Sequence, residues 1–376
     1  MYSAAADKRT ALPNAKGGAK KLTVLRNVQA LRAIAALLVV CVHMGNPHGF
    51  EVRYLGAHPP LLRGIVNIGE TGVDLFFVIS GFIMAMTTLG RRKLPSSVDF
   101  FKRRIMRIYP LYWLITGLLL VVYLRDPALV NAHSAFRPDI VASFLALPQR
   151  GMPLLLVGWS LVYEMYFYLV FAAALSLGKR SFLPVLAIWA LATLAFNLTF
   201  GASNNPWLQT ISNPICFEFL LGVGVGWLTL ADKYRWPGLW LALGIAGYAA
   251  DCAIGFSGGW VRVAQAIPLA LIVFGAVGLE RRAKLVLPKF LDRLGDASYA
   301  TYLCHVPVLA VFGLMISRTP LRHASPLEDA IVIALGFTLI EVVGLGVYRY
   351  VERPLANASR HLVSPQKRLR SVPGRA

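Results

Sequence analysis

Residues 24–44 read VLRNVQALRAIAALLVVCVHM. A helix of about 20 mainly apolar residues, within a range of roughly 17–25, crosses a bilayer, and this run has that length. The polar, basic residues before it could mimic a secretory signal. However, the run holds Arg32 and His43, and no small-x-small cleavage pattern follows closely. It therefore reads as a retained first span. Nine further runs of the same kind follow, at 71–89, 108–124, 153–177, 182–200, 209–230, 237–254, 260–279, 297–317 and 328–350. The fold class is accordingly all-α: a polytopic membrane protein of about ten transmembrane helices. Residues 139–148 (DIVASFLALP) are apolar but too short to span, and read as interfacial or re-entrant. No connector is long enough for a soluble domain, and there is no internal repeat.

Composition agrees. The 376 residues are 57% hydrophobic and 15% charged, where a soluble domain carries roughly 25% charged residues. The net charge of +20 invites a nucleic-acid reading, but topology explains it better and nucleic acid is excluded as a partner. With the N-terminus in the cytoplasm, 28 of the 38 Lys and Arg fall in cytoplasmic segments and 8 on the other side. That is the alternation of the positive-inside rule. Both tails come out cytoplasmic, giving a basic tail over 1–21, a membrane domain over 22–352 and a second basic tail over 353–376, in a multi-pass protein of a bacterial inner membrane. Cys41, Cys216, Cys252 and Cys304 all lie in apolar runs without CxxC spacing, so neither a disulfide framework nor a metal site is expected.

Charged groups in lipid cost at least ~2.5–3.5 kcal/mol, so the few present face protein and usually act. Arg32 and His43 are eleven residues apart, which on a helix leaves them about 20° apart in direction and about 16 Å apart in height. A cation at the inner end and a proton-transfer group at the outer end suit a substrate lying along the helix; headgroup snorkelling and an interfacial His fit the spacing equally. Asp74, in GVDLFFVISGF (72–82), falls at a depth similar to His43. It is read either as a carboxylate orienting the imidazole or as an acid favoured by the helix dipole. Glu164, in GWSLVYEMYFY (158–168), lies near mid-membrane, and Ser160, Glu164 and Tyr168 share one polar face. Ser298, Tyr302 and His305 share a face of the ninth span and read as a second lining of the same cavity, with helix–helix contact through polar side chains as the alternative. In the basic segment 100–110, Arg104 and Arg107 point one way if helical. Such a fork suits phosphate, though ordinary positive-inside charge accounts for it as well.

Together these segments resemble the acyltransferase 3 family, membrane acyltransferases that O-acylate polysaccharides. The stretches are LRAIAALLVVCVH (31–43), 72–82, 100–113, 158–168, LGDASYATYLCH (294–305) and VERPL (351–355), in family order across the membrane region. The GWSLxxEMxFY wording looks most like the exopolysaccharide O-acetyltransferase branch. The resemblance implies a ten-helix fold that takes an acyl group, acetyl by default, from cytoplasmic acyl-CoA. The acceptor would be a hydroxyl of a glycan or of its lipid-linked oligosaccharide precursor, beside polysaccharide synthesis machinery and membrane lipid. It carries the family's cation-and-His hallmark onto Arg32 and His43 and its Arg-x-x-Arg pair onto Arg104 and Arg107. The donor would then dock on Arg32, Arg104 and Arg107, with His43 catalytic and Asp74 or Glu164 orienting it. The rival class is a transporter or flippase of lipid-linked glycans, which predicts repeated halves with broken helices.

Overall fold

The computed structural model describes residues 25–363, apart from residues 47, 57–60, 92, 132–133, 202, 255–258 and 320–324. The tail expected over 1–21 and the part of the second tail from 364 onward lie outside the described residues. Among the described residues every regular element is a helix, and ten stretches are long and apolar enough to cross a membrane. In chain order the helices are α1 (Arg26–Gly45), α2 (Arg63–Thr88), α3 (Ser97–Arg125), α4 (Ile140–Leu145), α5 (Gly158–Ser176), α6 (Lys179–Phe200) and α7 (Pro206–Ser212). They continue with α8 (Cys216–Leu230), α9 (Pro237–Ile254), α10 (Gly259–Arg281), α11 (Lys289–Ile316), α12 (Pro326–Val347) and α13 (Arg353–Val363).

Three boundaries depart from the hydrophobic runs, each for a local reason. The basic segment is not a loop: α3 begins at Ser97 and carries Arg104 and Arg107 as helical residues. The sixth run is split into α7 and α8 because Asn213 turns the chain, its Oδ1 accepting the Ile215 N–H at 3.0 Å, and Pro214 follows. The last span passes through a π turn, Tyr348–Glu352, before α13.

The helix carrying Arg32 and His43 lies in the interior. α1 packs against α2 and α11, and α2 packs in turn against α8. At the α2–α8 crossing Gly81 faces the Phe219 carbonyl and Gly222 faces the Val78 carbonyl. The two backbones approach so closely that neither position has room for a Cβ, which is how helices pack when lipid offers no hydrophobic drive between them. Of the most apolar stretch, 72% is buried in α2 against 11% in α9, so α9 is a peripheral helix. Leu118 and Val121 on α3, Ile188 and Leu191 on α6 and Val342 on α12 are exposed, the apolar exterior expected of a bundle solvated by lipid.

The start of α1 is fixed from a distance. Leu25 offers no side-chain cap. Instead Glu280, at the end of α10, accepts the N–H of Arg26 through Oε1 and that of Asn27 through Oε2, both at 2.8 Å. Asn27 donates to the carbonyls of Ala276 and Leu285 and accepts the Leu287 N–H. Arg26 pairs with Asp292 at 2.8 Å.

Residues 139–148 form the short helix α4 and its flanks. Asp139 caps its start, accepting the Ala142 N–H at 2.9 Å. The carbonyls at its end are taken by α3 side chains: Tyr112 donates to Ser143, Tyr109 to Leu145 and Trp113 to Phe144. Tyr112 lies thirteen residues before the end of α3, about 20 Å at the helical rise. The segment therefore packs beside the middle of α3 rather than at its end.

Candidate active site

A cavity runs between α1, α2, α3, α5 and α11, with Arg32, Arg104 and Arg107 at one end and Ser160 and Tyr302 in its wall. The polar face expected on α5 lines it as a unit: Ser160, Glu164 and Tyr168 all contribute. Tyr168 donates to Glu164, and Ser80 of α2 donates to the same carboxylate oxygen at 3.3 Å. Ser160 and Tyr302, taken from two different runs, meet at 2.7 Å between hydroxyl oxygens.

Two of the three guanidiniums are oriented by uncharged groups. Arg104 lies over the rings of Phe100 and Tyr168, at 5.4 Å from each centroid, and donates to Thr87 Oγ1 at 3.5 Å. Arg32 donates to Gln29 Oε1 at 2.9 Å, and Gln29 is held in turn by Asp296 at 2.8 Å. Among the described residues the ion pairs within 4.0 Å are Arg26–Asp292 and Arg262–Asp74. Among the described residues no carboxylate is thus within 4.0 Å of Arg32, Arg104 or Arg107, and Glu352 lies near Arg32 and Arg107, with Asp296 near Arg32. In the cavity wall the three cations face the single carboxylate Glu164. Guanidinium is charged at any physiological pH, and an excess of oriented positive charge in a low-dielectric wall favours an anionic ligand.

The imidazoles lie at the other end of α1. His43 is half-buried, and its Nδ1 is 3.0 Å from the Val39 carbonyl one turn earlier. His305 is fully buried; its Nε2 is 3.3 Å from His43 Nδ1 and its Nδ1 is 2.7 Å from the Tyr302 carbonyl. The two rings meet edge to face with centroids 4.8 Å apart, and the His305 ring lies 5.9 Å from that of Tyr302. His43 itself does not line the cavity; it is reached from the cavity wall through Tyr302 and His305.

Several sequence expectations need correction here. Asp74 does not contact His43. It faces α10, where Arg262 binds its Oδ1 through Nε at 3.1 Å and Nη2 at 2.5 Å. Arg262 also lies over the Trp159 ring, 5.7 Å from its centroid. The cause is register: Gly69 of α2 faces the Leu38 carbonyl of α1 and Gly72 faces the Ala35 carbonyl, so Asp74 lies beside the middle of α1 and not beside its His43 end. Glu164 does not contact His43 either, being held by Tyr168 and Ser80. Ser298 and His305 were expected to line the cavity, yet both are fully buried behind it and Tyr302 alone of that face reaches it. Sequence reasoning missed Ser80 and Tyr299, both in the cavity wall, although each stands inside a quoted stretch. It also missed the pairing of Arg262 with Asp74.

The comparisons with known proteins fit this architecture. A family model described as an acyltransferase domain, acyltransferase 3, matches residues 25–346. The exopolysaccharide production protein ExoZ of Rhizobium meliloti is 34% identical over 312 residues, covering 78% of this chain and 92% of that protein. The acyltransferase MdmB of Streptomyces mycarofaciens is 26% identical over 374 residues, covering 88% and 91%. No solved structure matches the chain. The chain belongs to the acyltransferase 3 family and is a multi-pass membrane acyltransferase.

Proposed function

We propose that the protein moves an acyl group, acetyl by preference, from cytoplasmic acyl-CoA to a hydroxyl of an exopolysaccharide or of its lipid-linked precursor. The name of the Rhizobium relative supports the acceptor class, and the excess of basic residues supports cytoplasmic tails in a bacterial inner membrane. The observation that carries the reading is the cavity with three guanidiniums at one end, outnumbering the one carboxylate in its wall, and, at the other, a wall that backs onto a histidine pair. Phosphates of the donor bind Arg32, Arg104 and Arg107, and the narrow pantetheine arm runs past Glu164 and Tyr168 toward Ser160 and Tyr302. A swing of the Tyr302 ring away from Ser160 brings the thioester to His43. There Nε2 of His43 removes the proton of the acceptor hydroxyl as its oxygen attacks the carbonyl carbon. The C–S bond breaks, and the leaving thiolate takes that proton back from the imidazolium. Products are the O-ester and the free thiol of CoA. Polysaccharide synthesis machinery would supply the acceptor.

The test is thiol release from acetyl-CoA by purified protein in lipid nanodiscs, with surface polysaccharide from a strain lacking this protein as acceptor. Acceptor-dependent release is expected, together with loss of polysaccharide acetyl groups in that strain. Intact acetyl-CoA, with polysaccharide acetylation unchanged, would reject the reading in favour of glycan transport.

A further inference from the structure

The histidine pair has a proton pattern that its neighbours dictate. A backbone carbonyl can only accept. His305 Nδ1, at 2.7 Å from the Tyr302 carbonyl, therefore carries a hydrogen. His43 Nδ1, at 3.0 Å from the Val39 carbonyl, carries one for the same reason. The contact between the rings then has one solution. His43 Nδ1 is the donor at 3.3 Å, shared between Val39 and His305, and His305 Nε2 is the acceptor. A hydrogen on His305 Nε2 would set two N–H groups against each other. His305 is therefore neutral, and His43 is left with a free lone pair on Nε2.

We infer that His305 is the positioning residue for His43: it fixes the Nδ1–H tautomer so that Nε2 is the base, and it accepts more strongly from Nδ1 once the ring becomes imidazolium. This deepens the proposed function and rests on His43 being its base. The two carboxylates that sequence offered for the task are engaged elsewhere, Asp74 by Arg262 and Glu164 by Tyr168 and Ser80. A neutral acceptor does this work in place of an acid because His305 is fully buried, where an ionised carboxylate would carry a large desolvation cost.

The experiment compares His43→Ala, His305→Leu, His305→Asn and His305→Gln with wild type in nanodiscs. It uses acetyl-CoA and the same polysaccharide, with melting temperatures recorded. Gln carries an acceptor oxygen about as far out as imidazole Nε2; Asn does not. Leu and Asn are expected to lower kcat about 100-fold, with KM for acetyl-CoA within about twofold of wild type, and Gln to recover kcat to within about tenfold. Near wild-type turnover by His43→Ala would remove the proposed base, and this inference with it. An inactive His43→Ala beside a His305→Leu of unchanged kcat would overturn the inference alone. A rise in KM without a fall in kcat, or a Gln variant that melts like wild type yet turns over no faster than Leu, would overturn it too. Should Leu and Asn not fold, the Gln variant's kcat decides: a loss beyond about tenfold contradicts the role.

Discussion

The two ends of α1 do different kinds of chemistry by different kinds of construction. At the inner (N-terminal) end Arg32 shares the cavity with Arg104 and Arg107; Arg32 is held by an amide, and Arg104 by two rings and a hydroxyl. At the outer (C-terminal) end one imidazole is wired to another, and both are wired to backbone carbonyls. Charge is additive and tolerant of position, so the inner end is redundant. A tautomer is set by one contact at one distance, so the outer end is not. This contrast predicts that substitutions at the two ends fail differently.

The largest effect belongs to the outer end. His43→Ala is expected to lower kcat by about 10²–10⁴-fold, the usual worth of a general base, with acetyl-CoA binding retained. Equilibrium binding of labelled acetyl-CoA to the variant separates the two quantities; an equal loss of both would place His43 among the donor's ligands. At the inner end the failure is one of affinity. Arg104→Glu is expected to raise KM for acetyl-CoA about tenfold or more, by losing a charge-assisted phosphate contact and adding a repulsive one. Arg107→Glu has the same sign, and the double variant exceeds either. If KM is unmoved while anionic lipid binding falls, those arginines belong to the membrane surface.

Asp74 sharpens the contrast, because the sequence assigned it to the outer site and the structure assigns it to the bundle. Asp74→Ala leaves Arg262 without its partner beside Trp159. Breaking a buried pair costs up to about 3–5 kcal/mol, and with Arg262 partly exposed the expected loss is about 1–3 kcal/mol. Thermal unfolding in detergent should record it, while kcat of the folded fraction stays within a few-fold. A 100-fold fall in kcat at wild-type stability would return Asp74 to the histidines.

The legibility of the molecule divides along the same line. The ten spans were readable because each needs only length and apolarity, and the charged residues that line the cavity stood out because charge in an apolar run is conspicuous. Arg32, Arg104, Arg107, Glu164, Ser160 and Tyr168 do share one cavity. What the chain hid was direction between helices. Position can be counted along a span, but the register and the side on which α2 meets α1 are decided by close approaches such as Gly72 against the Ala35 carbonyl. Asp74 was placed at the height of His43, whereas its neighbour Gly72 faces Ala35, about two turns earlier on α1. His305 was placed on the right helix as a cavity lining, because nothing in SYATYLCH shows that its partner is the first span.

The smallest effect sets two capping carboxylates against each other. Glu280 serves the inner end of α1 with both oxygens at 2.8 Å. Glu51, outside the spans in the π turn Glu51–Leu55, serves the start of α2 by accepting the Leu62 N–H at 3.2 Å. Burial pushes the Glu51 carboxyl above the usual carboxylate range, and Asp329 adds to the rise against the lowering by the Leu61 and Leu62 N–H groups. The folded state therefore holds the Glu51 proton more tightly than the unfolded chain. Its contribution to stability is complete below the ordinary carboxylate pKa and declines as pH rises through the raised value. Glu51→Gln keeps an acceptor for Leu62 and cannot ionise, so its melting temperature above that window should equal or exceed wild type. The part of the pH dependence due to Glu51 should vanish with it. Glu280→Gln keeps one acceptor oxygen where two N–H groups need one each, and is expected to destabilise by about 1 kcal/mol. Parallel melting curves at pH 5 and pH 8 test both. A Glu51→Gln variant less stable than wild type at pH 8 would mean that the Leu62 contact draws its strength from the charge, as at Glu280, and the contrast between the two caps would be gone.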